Sequence, residues 1–96
     1  MEVTVEYLGH IKQTLEIHKA EKVRLKDQAS VRDLLSLLAQ KYGEPFQKAV
    51  YEPKSVDLKP YYILSVNGLL LNQLKGLETR LKNGDYVILM PVVTGG

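Results

Sequence analysis

Residues able to do chemistry are sparse in this chain. It has no cysteine, so disulfides, thiolate metal sites and a cysteine nucleophile are excluded by inventory. His10 and His18 stand in or beside a first predicted hairpin, with no acidic spacing that makes a metal or acid–base motif, and both read as surface residues. Ser30, Ser36, Ser55 and Ser65 have no histidine near them in sequence, so a catalytic serine would need a spatial partner. No P-loop, dinucleotide-binding, zinc-protease or nucleophile-elbow motif occurs, and all seven glycines fall at turns or at the C-terminus. What is left is Met90-Pro91-Val92-Val93-Thr94-Gly95-Gly96. Terminal glycines bury no side chain and carry the largest backbone entropy in the unfolded state, so a domain gains little from them. Either this is a frayed end, or the terminus is itself the reacting group.

The second reading has a definite chemistry. The α-carboxylate of Gly96 is a poor electrophile, but transfer to phosphate through ATP makes an acyl-adenylate whose carbonyl a sulfur or nitrogen nucleophile attacks. Lacking Cβ, Gly95 and Gly96 can thread a narrow channel in a partner enzyme, where any side chain would clash. The partner would supply the electrostatic stabilisation from Arg, Lys or a bound metal.

The elements that must present such a tail can be read from periodicity. Val3, Val5 and Tyr7 alternate with Glu2, Thr4 and Glu6, a strand; Val23 and Leu25 alternate with Lys22, Arg24 and Lys26 in a second, with the Thr14 to Lys19 region extending one arm of the hairpin. Val31, Leu34, Leu35, Leu38 and Tyr42 then share one face of an amphipathic helix, which Ser30 caps, Asp33 completes as a capping box, and Gly43 ends in the αL conformation. A shorter helical piece is expected over 46–51, and a loop to Pro60. Tyr61 to Val66 is a strand, Asn67-Gly68 a type I′ turn signal, and Leu69 to Leu71 the returning strand. Residues 72–82 are irregular with a short 3₁₀ turn, Asn83-Gly84-Asp85 is a turn, and Tyr86 to Met90 is the last strand, closed by Pro91.

This order predicts an α+β roll: a mixed sheet of four to five strands with one main helix packed across it, and the first and last strands parallel in the centre. That arrangement is the β-grasp, or ubiquitin-like, fold. Residues 1–92 would form the domain and 93–96 a flexible tail. With 45% hydrophobic and 25% charged residues, 96 residues suffice for one core. The 13 basic and 11 acidic residues are interspersed as on a solvated surface, and no basic cluster with interleaved aromatics points to nucleic acid. No apolar run approaches the roughly 20 residues that span a bilayer, and no leader pattern opens the chain, so a cytoplasmic location and no membrane partner are expected.

Val66-Asn67-Gly68, then Leu81-Lys82-Asn83-Gly84-Asp85-Tyr86-Val87, then Met90-Pro91-Val92-Val93-Thr94-Gly95-Gly96, resemble the MoaD/ThiS family of ubiquitin-like sulfur carriers. The similarity is greater to MoaD, the small subunit of molybdopterin synthase, whose pattern reads V-N-x, then L-x-D-G-D-E-V-x-x-x-P-P-V-x-G-G. The resemblance implies a cycle. An E1-like adenylyltransferase of the MoeB/ThiF kind activates Gly96, a cysteine desulfurase or rhodanese-like donor converts it to a thiocarboxylate, and a MoaE-like large subunit receives the tail so that sulfur reaches a pterin precursor. Gly96 would bear the sulfur, with Gly95 and Thr94 as its slender approach. The carrier would be no enzyme, would bind no metal and no cofactor stably, and would leave ATP to the activating partner.

Two departures bear on partner fit, since Val92 replaces the second proline of the family pair and Met90 the aromatic that often precedes it. Thiamine thiazole synthesis, tRNA thiolation and protein conjugation stay open as destinations, as does a non-catalytic β-grasp interaction module. A partner patch is expected at Leu70, Met90, Val92 and Val93, with Leu69 and Leu71 more readily assigned to the core.

Overall fold

The computed structural model describes residues 1–17, 20–51 and 62–91. The elements run β1 (Glu2–Tyr7), α1 (Ile11–Thr14), β2 (Glu21–Arg24), α2 (Val31–Tyr42), α3 (Glu44–Val50), β3 (Tyr62–Val66), β4 (Leu69–Leu70) and β5 (Tyr86–Pro91). Two 3₁₀ turns, Leu71–Gln73 and Gly76–Glu78, lie between β4 and β5.

The strands form one mixed sheet in the order β2-β1-β5-β3-β4. β1 and β5 are parallel neighbours, in register from Thr4 opposite Tyr86 to Tyr7 opposite Leu89, as the long crossover between them requires. β2 pairs antiparallel with β1, and β3 antiparallel with both β5 and β4. This is the β-grasp arrangement, with the last strand at its centre.

Alternation along β1 and β5 buries Val3, Val5, Tyr7, Val87 and Leu89 on one face, where Leu64 and Val66 of β3 join them. The opposing layer is α2, which contributes Val31, Leu34, Leu35 and Leu38, and α3, which contributes Phe46 and Val50. Each such leucine or phenylalanine taken out of water contributes on the order of 2 kcal/mol. The α2 start is the expected capping box: Ser30 Oγ accepts from Asp33 N (3.2 Å), and Asp33 Oδ2 accepts from Ser30 N (2.9 Å). The phenols Tyr7, Tyr42 and Tyr51 form a chain with Phe46, at centroid spacings of 6.0 to 6.4 Å, running from the sheet through α2 to α3.

Several expectations are corrected. Residues 11–14 form a helical turn, anchored by the fully buried Ile11, so Thr14 to Ile17 do not extend a hairpin arm; β2 stops at Arg24, with the Lys26 carbonyl turned to accept from Ala29 N. Gly43 has positive φ (70°) but ψ of −146°, which is not αL; the chain leaves α2 extended and starts α3 at once, with Gly43 as its N-cap and Pro45 in its first turn. α3 therefore begins two residues before the expected Phe46. β5 includes Pro91, opposite Tyr62 at the strand's end. Leu69 is not a core residue: it is 47% exposed, in the two-residue β4 at the sheet edge, both of whose residues are exposed. The expected loop over 52–60, Tyr61 and His18 lie outside the described residues.

Candidate functional site

Whatever follows Pro91 leaves from β5, so the two ends of that strand define the site. At its start, a compact set of turns holds it. Asn67, at φ 53°, accepts from Tyr86 N through Oδ1 (2.8 Å), donates through Nδ2 to Asp85 Oδ1 (2.9 Å), and its own N–H bonds to Tyr86 O (2.8 Å). Asp85 Oδ2 accepts from Lys82 N (2.8 Å), Asn83 Oδ1 accepts from Glu2 N (2.8 Å), and Gly84 N donates to Glu2 O (2.8 Å). Thus Asn67 and Asn83-Gly84-Asp85, the residues that carry much of the family resemblance, staple β1, β3 and β5 together. They sit at the end of β5 remote from Pro91.

At the other end the strand stops at Pro91. Of the residues expected to react or dock, Val92, Val93, Thr94, Gly95 and Gly96 lie outside the described residues, whereas Leu70 and Met90 are within them.

Register places Leu70 and Met90 on the same side of the sheet. Ser65 faces both Leu70 and Ile88, Ile63 faces Met90, and Glu6 and Thr4 face Ile88 and Tyr86 across the parallel pair. This is the side away from α2 and α3. Leu70 (38% exposed) and Tyr86 (39%) are open, while Met90, Ile88 and Ile63 are half-buried by one another. Leu8, just past β1, is exposed at the same end as Met90. The result is an apolar band on the free sheet face. Its polar border includes Tyr86, whose hydroxyl donates to Glu6 Oε2 (2.7 Å) and whose phenol is raised above the usual range chiefly by that bond. Sequence reading found Leu70 and Met90 but not Ile63, Ile88, Tyr86 or Leu8. The signal was available in the period-two alternation of β3 and β5, once both are paired in this register.

Beneath the sheet, at the Pro91 end, Tyr7, Tyr42 and Glu21 meet. Tyr42 donates to Glu21 Oε2, and Lys41 Nζ lies 2.6 Å from Glu21 Oε1. The buried Tyr7 hydroxyl lies near Glu21 and Tyr42, but no partner stands within hydrogen-bond distance and angle of it. Burial, then the nearby Glu21 charge, raises the Tyr7 phenol; burial, then the bond to Glu21, raises that of Tyr42. This cluster lies on the helix-covered side of the sheet, opposite the apolar band.

Among the described residues, no three His, Cys, Asp or Glu side chains group as metal ligands, and His10 is exposed beside α1. No described helix is long and apolar enough to cross a membrane. Among the described residues, the geometry offers a central strand paired on both sides and an apolar band, without a convergent acid, base and nucleophile.

Comparison with known proteins agrees with this architecture. The model of a family described as the ThiS family matches residues 5–96. A protein of Archaeoglobus fulgidus, described provisionally as a sulfur carrier protein, is 33% identical over 70 residues, covering 73% of this chain and 77% of its own. Among solved structures, SAMP1 of Haloferax volcanii superposes with a TM-score of 0.83 over the whole of both chains at 19% identity, which speaks for the fold alone. A Pyrococcus furiosus protein, described provisionally as molybdopterin converting factor subunit 1, has a TM-score of 0.73 and 25% identity over 97% of this chain and 99% of its own.

Proposed function

The chain belongs to the ThiS family, and from that premise we propose that it is a sulfur carrier whose Gly96 carboxylate is adenylated and converted to a thiocarboxylate that donates sulfur in molybdopterin biosynthesis. The observation that carries the proposal is the extent of the family match, which runs through residue 96 and so takes in Thr94-Gly95-Gly96. The choice of molybdopterin over thiamine thiazole, tRNA thiolation or protein conjugation rests on the likeness to the Pyrococcus furiosus protein.

The chemistry proceeds in two substitutions at one carbon. A carboxylate oxygen of Gly96 attacks the α-phosphorus of ATP and pyrophosphate leaves, giving the acyl-adenylate. A hydrosulfide-level nucleophile then attacks the carbonyl, AMP departs with the original oxygen, and sulfur stays on carbon as the thiocarboxylate. Where the donor is a persulfide, the first product is an acyl disulfide, which a thiol must reduce. Activation belongs to an E1-like adenylyltransferase that binds ATP, sulfur to a desulfurase or rhodanese-like donor, and sulfur transfer to a MoaE-like large subunit. The carrier itself holds no cofactor, works in the cytoplasm, and divides into a domain over 1–92 and a tail over 93–96.

The band on the free sheet face is the docking surface in this reading. Leu70 and Met90 contribute from β4 and β5, and we assign Val92 and Val93 to it by sequence alone. Leu70→Ala, at an exposed site, should leave the fold within about 0.5 kcal/mol of wild type and weaken partner binding. An equal loss of binding and folding would reassign Leu70 to the core.

Intact mass after incubation with cell extract, ATP and a sulfur source tests the carrier. The expected change is replacement of one oxygen by sulfur, absent from a variant lacking Gly96. An unmodified terminus, with the truncated variant retaining all partner interactions, would assign the domain to non-catalytic interaction. Sulfur transfer to a pterin precursor with a large synthase subunit, against transfer to tRNA or isopeptide formation with lysines, identifies the destination.

A further inference from the structure

We infer that Gly9 is a positioning residue for the tail: its bare backbone is the surface against which Pro91 packs, and this contact sets the direction in which the chain leaves β5. The last parallel pair is Tyr7 with Leu89, and Leu8 N still donates to Leu89 O (3.0 Å). Two residues further along each chain bring Gly9 beside Pro91. A Cβ on Gly9 would lie 2.7 Å from Pro91 Cγ and 2.8 Å from Cδ, closer than carbon atoms approach without displacement. Gly9 also adopts φ of +80°. Gly43, Gly68, Gly76 and Gly84 share positive φ but have open space where a Cβ would point. Backbone conformation therefore accounts for those four, while Gly9 answers to a neighbour as well.

Neither side of the contact can simply yield. Gly9 O accepts from Lys12 N (3.1 Å), which ties it to α1, and α1 is anchored by Ile11 in the core. Pro91 is held on its other side by its place opposite the buried Tyr62. Its ring fixes φ, so its seating fixes the path of the bond to the next residue more firmly than an unconstrained residue would. The short helix thereby buttresses the base of the tail. In an activating enzyme that must bring a terminal carbonyl to a nucleotide, an error at the base propagates to the reacting atom, and a misplacement of about 1 Å can cost on the order of a hundredfold in rate. The catalytic consequence rests on the carrier reading above; the contact itself does not.

The test compares Gly9→Ala with Gly84→Ala, which imposes similar positive-φ strain in open space, and with the double variant Gly9→Ala/Pro91→Ala, which removes the ring from the contact. Amide chemical shifts and heteronuclear relaxation at Met90, Val92 and Val93 read the base of the tail, and AMP transfer by an E1-like adenylyltransferase reads its presentation. Gly9→Ala is expected to shift those resonances and lower kcat/KM for the carrier at least about tenfold, Gly84→Ala to leave both at wild-type values, and the double variant to recover part of the loss. A folded Gly9→Ala protein matching Gly84→Ala in both readouts would overturn the inference. Should Gly9→Ala fail to fold, Pro91→Ala decides through the Gly9 and Leu8 amide resonances: a shift at Gly9 supports the packing contact, and unchanged resonances there reject it. If wild type accepts no AMP at all, the carrier reading falls, and the resonance shifts alone judge the Gly9–Pro91 contact.

Discussion

Tyr7 and Tyr42 meet edge to face at 6.3 Å, yet removal of their hydroxyls should move stability in opposite directions. The Tyr42 hydroxyl donates to Glu21, whose side chain is only 15% exposed. A hydrogen bond to a charged group contributes about 1.5–3 kcal/mol, and Lys41 continues to hold Glu21 in Tyr42→Phe, so a loss near the lower figure, about 1.5 kcal/mol, is expected. The Tyr7 hydroxyl has already lost its water and gains no hydrogen bond. Tyr7→Phe removes a desolvated, unpaired group while keeping the ring, so stability should stay level or rise by up to about 1 kcal/mol. Urea unfolding with an unchanged m-value provides the measurement. The two variants should differ by about 2 kcal/mol, roughly thirtyfold in the folding constant. A Tyr7→Phe protein more than about 1 kcal/mol less stable than wild type, or a Tyr42→Phe protein indistinguishable from it, would refute the assignment of donor and orphan.

Three further outcomes are expected. Ser30→Ala removes the acceptor for Asp33 N at the start of α2 and should cost about 1 kcal/mol in chemical denaturation, whereas Ser30→Asp should restore most of it. Asn67→Ala loses the bonds to Tyr86 and Asp85 and forces a Cβ residue other than Asn to positive φ, for a loss of about 2–3 kcal/mol; Asn67→Gly keeps the φ and should lose about half as much, so equal losses would exclude a backbone contribution. Burial raises the phenols of Tyr7, Tyr42 and Tyr51 in the folded state. A raised folded pKa means that their stabilising effect is complete below the unfolded value of about 10 and is lost as pH rises beyond it. Unfolding monitored by phenolate absorbance should therefore steepen above that pH, and a stability independent of pH there would contradict the burial of these rings.

Much of the fold was legible because its signals were local and mutually consistent. Ser30, Asp33 and the spacing of Val31, Leu34, Leu35, Leu38 and Tyr42 mark the start and the inner face of α2; the structure shows the cap, buries the first four, leaves Tyr42 half-buried and adds Ala39. Asn67 and Gly68 both adopt positive φ, as the turn signal requires. Features that depend on distant partners were not legible. α1 is four residues long, too short for a 3.6-residue period to declare itself, and it forms because Ile11 drops into the core. Leu69-Leu70-Leu71 has no alternation to separate its faces, so Leu69 was assigned inward until the edge position of β4 placed it in solvent. Gly9 reads in sequence only as a strand breaker, since its neighbour Pro91 is more than 80 residues away along the chain and meets it only through parallel pairing. Of the candidate site, Leu70 and Met90 are described on the free sheet face, and the residues from Val92 to Gly96 rest on the family match.

The central position of β5 also governs how the molecule bears load. A pull applied through the tail acts along a strand clamped on both sides, in parallel register with β1 over four pairs and antiparallel with β3 over five. Along that direction the ladders are sheared together and must fail nearly at once, rather than opening one bond at a time as a peeled edge strand would. β4, with two pairs at the rim, has no such protection. A force transmitted through Pro91 therefore meets both ladders together, so that, on the carrier reading proposed above, a partner gripping the residues beyond it would load the sheet in shear.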